Sequence, residues 1–145
     1  MQKVLEHIKR EFKMMRVVIF GLMFFSVSAL ANIVGQWEGK SNNNTQVFNL
    51  KIDKQDNDIS LHYIFIYAKG KKINEYSEGM KPLVFKAIGS ECYVGQSYDS
   101  FTSSYAKTLL CEENGLLYWS KIDEALNTPY LPKYELFQRN VDFEE

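Results

Sequence analysis

The chain alternates. From residue 45 to 53, Phe48, Leu50 and Ile52 fall on one side while Asn49, Lys51 and Asp53 fall on the other. Ile59, Leu61, Tyr63, Phe65 and Tyr67 keep the same period of two over a longer stretch. Successive side chains of a strand point to opposite faces, so this pattern specifies strands with one buried face. Lys54-Gln55-Asp56-Asn57-Asp58 reads as a polar turn between them, and Lys69-Gly70-Lys71-Lys72 as a second boundary. Further strands are expected at residues 32–40, 83–88, 91–98, 105–112, 116–122 and 133–139. Asn114-Gly115 lies between two apolar runs and predicts a hairpin, because both residues tolerate positive φ. Residues 126–131 contain Pro129 and precede Pro132, so they read as a loop. Residues 141–145 read as a frayed acidic tail.

Eight or nine strands with short turns must close their sheet or stack two sheets to hide the edges. Sequential hairpins favour closure. The expected fold is all-β, a small antiparallel up-and-down β-barrel.

Before the alternation begins, residues 17–30 run 14 positions without a charge. That suits the apolar part of a signal peptide and is short for a bilayer span of roughly 20 residues. Lys9, Arg10, Lys13 and Arg16 supply the positive flank, and Ala29-Leu30-Ala31 offers the small residues that signal peptidase accepts. Residues 1–31 are therefore expected to be a signal peptide and residues 32–145 a single domain. Met14 or Met15 would be a more economical start. The alternative is an uncleaved anchor helix. Cleavage would leave no membrane span and a periplasmic or secreted protein.

Both cysteines, Cys92 and Cys111, fall in the exported part with 18 residues between them. An oxidising compartment makes a disulfide the expectation, worth about 3 kcal/mol in the chain-entropy model. Two buried free thiols are the alternative.

After residue 31 there remain 12 Lys and Arg against 16 Asp and Glu, a net charge of −4. That argues against nucleic acid as a partner, since polyanions reward clustered cations. His62 is the one histidine after residue 31, and it shares a strand face with Ser60, pointing outward into solvent. No nucleophile motif accompanies it. Glu112-Glu113 and Asp123-Glu124 sit at turns, and neighbouring residues on a strand point apart. Asp53, Asp56 and Asp58 lack the glycine and distal glutamate of a calcium loop. No catalytic residue, cofactor or metal site is expected.

Gly35-Gln36-Trp37 opens the first strand, and Arg139 stands near the end of the last. This resembles the lipocalin and calycin-like small β-barrels, where G-x-W on the first strand meets an Arg near the barrel's end. The resemblance implies a closed barrel plugged by Trp37, with Arg139 stacked on it. The plain alternative is a core tryptophan and a surface arginine.

Residues 98–105, Tyr-Asp-Ser-Phe-Thr-Ser-Ser-Tyr, have the tyrosine and serine composition of protein-binding loops. Residues 127–132 are a second candidate, stiffened by two prolines. Tyr98, Asp99, Phe101 and Tyr130 are the expected partner contacts, unless the aromatics fold back over the barrel mouth. Two functions suit such a chain. One is an exported non-enzymatic protein-binding module, such as a periplasmic inhibitor of a cell-wall lytic enzyme or an immunity protein. Its acidic balance would complement a basic lytic enzyme. The other is a carrier of a small apolar ligand. The first expects Phe48, Leu50, Tyr63, Phe65 and Trp119 to fill the barrel, and the second expects a cavity.

Overall fold

The structure is a computed structural model that describes residues 33–123 and 127–143. The expected signal peptide and cleavage site lie outside the described residues. Nine strands lie among them: β1 (Gly35–Gly39), β2 (Val47–Gln55), β3 (Asp58–Tyr67), β4 (Lys72–Tyr76), β5 (Leu83–Ala87), β6 (Cys92–Asp99), β7 (Ser104–Glu113), β8 (Leu116–Lys121) and β9 (Tyr134–Arg139). Every pairing is antiparallel, and β1 bonds to β9, so the sheet closes into a barrel.

The ring has eight positions, because β4 and β5 share one. Both pair with the same edge of β3, β4 with its second half and β5 with its first. Moving from Tyr63 to Leu61 along β3, the paired residue jumps from Tyr76 to Leu83. Two steps on one strand thus match seven on the other, and residues 77–82 leave the wall as an excursion. The sequence reading placed Lys72 in a turn and assigned no strand to residues 73–76; Lys72 in fact begins β4. The local pattern hides it. Asn74 is fully buried, while Ile73 is half exposed, so the alternation runs inverted.

The barrel axis is filled. Phe48, Leu50, Tyr63, Phe65 and Trp119 are all buried. The Trp119 ring meets Phe65 at 5.4 Å, Tyr63 at 6.1 Å and Phe137 at 6.5 Å. Tyr63 and Phe65 stack at 4.4 Å. Edge-to-face and offset arrangements of this kind are the favoured contacts of large aromatic rings.

One end is closed by Trp37. Its indole Nε1 donates to the Ile33 carbonyl at 2.9 Å, and Arg139 Cζ lies 4.5 Å from its ring centre. Arg139 Nη1 donates to the Val34 carbonyl at 2.8 Å. A Cβ on Gly35 would fall 2.7 Å from that same Nη1, and φ there is +135°. Glycine at this position is what lets the arginine reach over the indole. At the same end Cys92 and Cys111 face each other in register on β6 and β7 and form a disulfide. The Asn114-Gly115 hairpin has positive φ at both residues, 54° and 78°. The expected frayed tail instead starts with a 3₁₀ turn, Val141–Phe143, where Asn140 Oδ1 accepts from the Asp142 amide at 3.2 Å. Among the described residues, no helix is long and apolar enough to cross a membrane.

Candidate functional site

The opposite end gathers the turn after β3, the turn after β6 and the loop after β8. Three buried polar groups tie them together. Asp99 is wholly buried at the end of β6. Its Oδ1 accepts from the amides of Phe101 at 2.9 Å and Thr102 at 3.4 Å, and its Oδ2 from the amide of Tyr130 at 2.9 Å. Aspartate at a strand end turns the chain in this way because its short side chain reaches amides two and three residues on.

Asn74, also wholly buried, works from β4. Its Nδ2 donates to the carbonyls of Tyr130 at 2.9 Å and Tyr98 at 3.4 Å, while its Oδ1 accepts from the amide and hydroxyl of Ser100. Tyr63 completes the set from inside the barrel. Its hydroxyl donates to the Tyr98 carbonyl at 2.6 Å and accepts from the Tyr98 amide at 2.7 Å. One phenol thus serves both backbone groups of a residue whose neighbouring strand position is broken. Burial pushes the Tyr63 phenol far above its ordinary value, so it stays protonated and keeps both roles.

On this frame stands an aromatic rim. Phe101 and Tyr130 meet at 4.3 Å between ring centres, and Tyr67 touches Tyr130 at 5.7 Å. Lys72 Nζ sits over both rings, 5.3 Å from the centre of Phe101 and 5.7 Å from that of Tyr130. Phe101 is 43% exposed. Tyr98 packs between Tyr76 at 5.8 Å and the exposed Tyr105 at 4.9 Å. Ala68, Lys69 and Ser103 hold left-handed φ near 50–60° in the two turns, which keeps both turns tight. Burial also raises the Tyr67 phenol, whose hydroxyl has no hydrogen-bond partner.

Of the residues singled out by sequence, Tyr98, Asp99, Phe101 and Tyr130 come together here. Asp99 does so from inside, as the group that shapes both loops, and its carboxylate is not on the surface. Trp37 and Arg139 lie at the other end. Sequence reasoning missed Asn74, Lys72 and Tyr67. An asparagine inside a short strand was the available signal, since a polar amide there needs a reason. His62 is also not solvated: it lies on the outer face of β3, but only 14% of its side chain is exposed.

Charge divides the two ends. Lys40, Lys69, Lys71 and Lys72 are exposed around the rim, whereas the Trp37 end exposes Asp56, Glu91, Glu113 and Asp142 together with Lys54 and Lys86, leaving it net acidic. The fold and site define a class, a filled eight-position antiparallel barrel with a pinned aromatic rim. Comparison with protein-family models, with curated proteins and with solved structures finds no match.

Proposed function

We propose that the protein is an exported, non-enzymatic protein-binding module that meets its partner through the rim of Phe101, Tyr130 and Tyr98. The observation that carries this is the pinning of the rim. Two loops far apart in sequence are locked to each other by Asp99 and Asn74, and they present an exposed Phe101 beside the half-buried Tyr130 and Tyr98, of which Tyr98 also packs on the core. Preorganised aromatic surfaces bind at low entropic cost, because little is ordered on contact. The disulfide is consistent with export. The lipocalin-like alternative, carriage of a small apolar ligand, gains nothing from an axis occupied by Trp119, Phe65 and Tyr63.

The charge division refines the partner. A basic lytic enzyme, the partner suited to an inhibitor or immunity protein of net acidic charge, fits the acidic Trp37 end by complementarity. A partner docking on the lysine-bearing rim has to be neutral or acidic there. The test is capture from an extract of exported proteins by the immobilised barrel. Phe101→Ala with Tyr130→Ala should abolish capture of a specific partner. The cost in urea-unfolding stability should stay within about 1 kcal/mol for the exposed Phe101 and be somewhat larger for the half-buried Tyr130. Capture that survives the double change, and is instead lost on reversing Glu91 and Glu113, would move the contact surface to the other end. An apolar fluorescent probe binding within the barrel would replace the reading by carriage.

A further inference from the structure

Residues 77–82, the excursion between β4 and β5, bring Glu78 back against the outer face of β2 and β3. There it bonds to Lys51 of β2, beside Asp53 of β2 and His62 of β3. One ligand atom from each of Asp53, His62 and Glu78 lies within 4.8 Å of the others. His62 Nδ1 is buried and makes no hydrogen bond. It stands 3.3 Å from Asp53 Oδ2, but without the alignment of an N–H···O bond. Two ligands on adjacent corners of a tetrahedral zinc site, with bonds of about 2.0–2.1 Å, are separated by roughly 3.3–3.4 Å. The imidazole and the carboxylate are therefore spaced as ligands of one ion and oriented unlike a donor and its acceptor.

We propose that Asp53, His62 and Glu78 form a binding site for a divalent transition-metal ion of the zinc type. One imidazole with two carboxylates suits zinc and its neighbours better than calcium or magnesium, which prefer oxygen alone. Three protein ligands leave a fourth position open. His62 and Glu78 line a depression of about 350 Å³, also bordered by Gln36, Asn49 and Asn140, from which water or a partner's side chain could fill that position. Glu78 is exposed and sits on the excursion, so it has the freedom to close the remaining distance.

Lys51 sets the terms of binding. Its ammonium bonds Glu78 and lies 3.7 Å from Asp53 Oδ2, so it occupies the place between the carboxylates that an ion would take. The Lys51 side chain is 40% exposed, and exposed pairs contribute little. A divalent ion displaces it into solvent. The proposal is independent of the rim.

Zinc titration of the untagged, disulfide-bonded protein against a chromophoric chelator tests it. One ion per chain is expected. Losing a ligand in His62→Gln should weaken binding by more than the roughly tenfold that loss of an outer-shell partner costs. Glu78→Gln, on the exposed excursion where the barrel does not depend on it, should act in the same direction. Lys51→Met should tighten binding by roughly two- to fivefold, as removal of one exposed competing charge allows. The cobalt form should show the strong visible bands of tetrahedral coordination. No uptake by the unaltered protein overturns the proposal. So does uptake indifferent to His62→Gln and Glu78→Gln, which would show adventitious carboxylate binding only. Weaker binding in Lys51→Met would overturn the displacement.

Discussion

Each end of the barrel carries a cation over aromatic rings, and the two contacts are built differently. At one end the Arg139 guanidinium lies 4.5 Å from a tryptophan that is 1% exposed, and it also bonds a backbone carbonyl. At the other the Lys72 ammonium hovers 5.3 and 5.7 Å from two rings that solvent reaches. A desolvated cation–π contact is worth about 2 kcal/mol or more, an exposed one about 0.5–1 kcal/mol. The same chemistry closes the barrel at one end and leaves a surface ready for exchange at the other. A lysine held only by exposed rings can move aside for a partner. An arginine whose donor is committed to the Val34 carbonyl cannot move without losing that bond and uncovering the indole.

The largest expected effect breaks the closed end. Trp37→Ala removes a buried indole and its bond to Ile33, and should cost about 3–5 kcal/mol in urea unfolding. A loss below about 1 kcal/mol would mean that the end is not held by this ring. Next comes the disulfide. Replacing Cys92 and Cys111 with serine frees a cross-link of sequence separation 19 and should cost about 3 kcal/mol. Unfolding midpoints with and without reductant give the same answer on the unaltered protein.

The rim should yield less to its strongest single change. Asp99→Ala strips the acceptor from the amides of Phe101, Thr102 and Tyr130. The expected loss is about 2–3 kcal/mol, the range for buried donors left unpaired. Hydrogen exchange should quicken at those amides while the β1–β9 ladder keeps its protection. Uniform quickening would show that the two ends are not separate in stability.

Much of this contrast was legible in the residues. Period-two alternation marked β2 and β3, because each has one face in the core, and apolar runs bounded by turn residues marked six more strands. Gly35, Trp37 and Arg139 announced the closed end, because a bend, a plug and a stacking cation need those residue types. The composition of residues 98–105 and 127–132 drew attention to the two rim loops. Three features were not legible. β4 escaped because Asn74 points inward to bond two loops and Ile73 outward, so its pattern contradicts the rule used to find strands. Asp99 looked like a surface charge, since nothing local reveals that a loop 31 residues away supplies it with a third amide. His62 looked solvated because the segment that covers it is the excursion, whose path depends on where β4 and β5 meet β3. All three depend on contacts between segments distant in sequence, which periodicity does not encode.

The smallest expected effect is the sharpest test of the comparison. Methionine keeps most of the length and apolar stem of lysine or arginine and discards the charge. Lys72→Met should therefore preserve the packing of the stem on Phe101 and Tyr130 and lose only the exposed electrostatic contact. The expected cost is under about 1 kcal/mol, and it should shrink further in high salt, where exposed charges are screened. Arg139→Met discards a half-buried stacking contact on a buried indole and the donor to Val34 together, so about 2 kcal/mol is expected, with less dependence on salt than at Lys72. The ratio matters more than either value. Equal losses at both ends would mean that Lys72 is as firmly built in as Arg139. The rim would then be a second closed end, and its aromatic surface would no longer be the place to look for a partner.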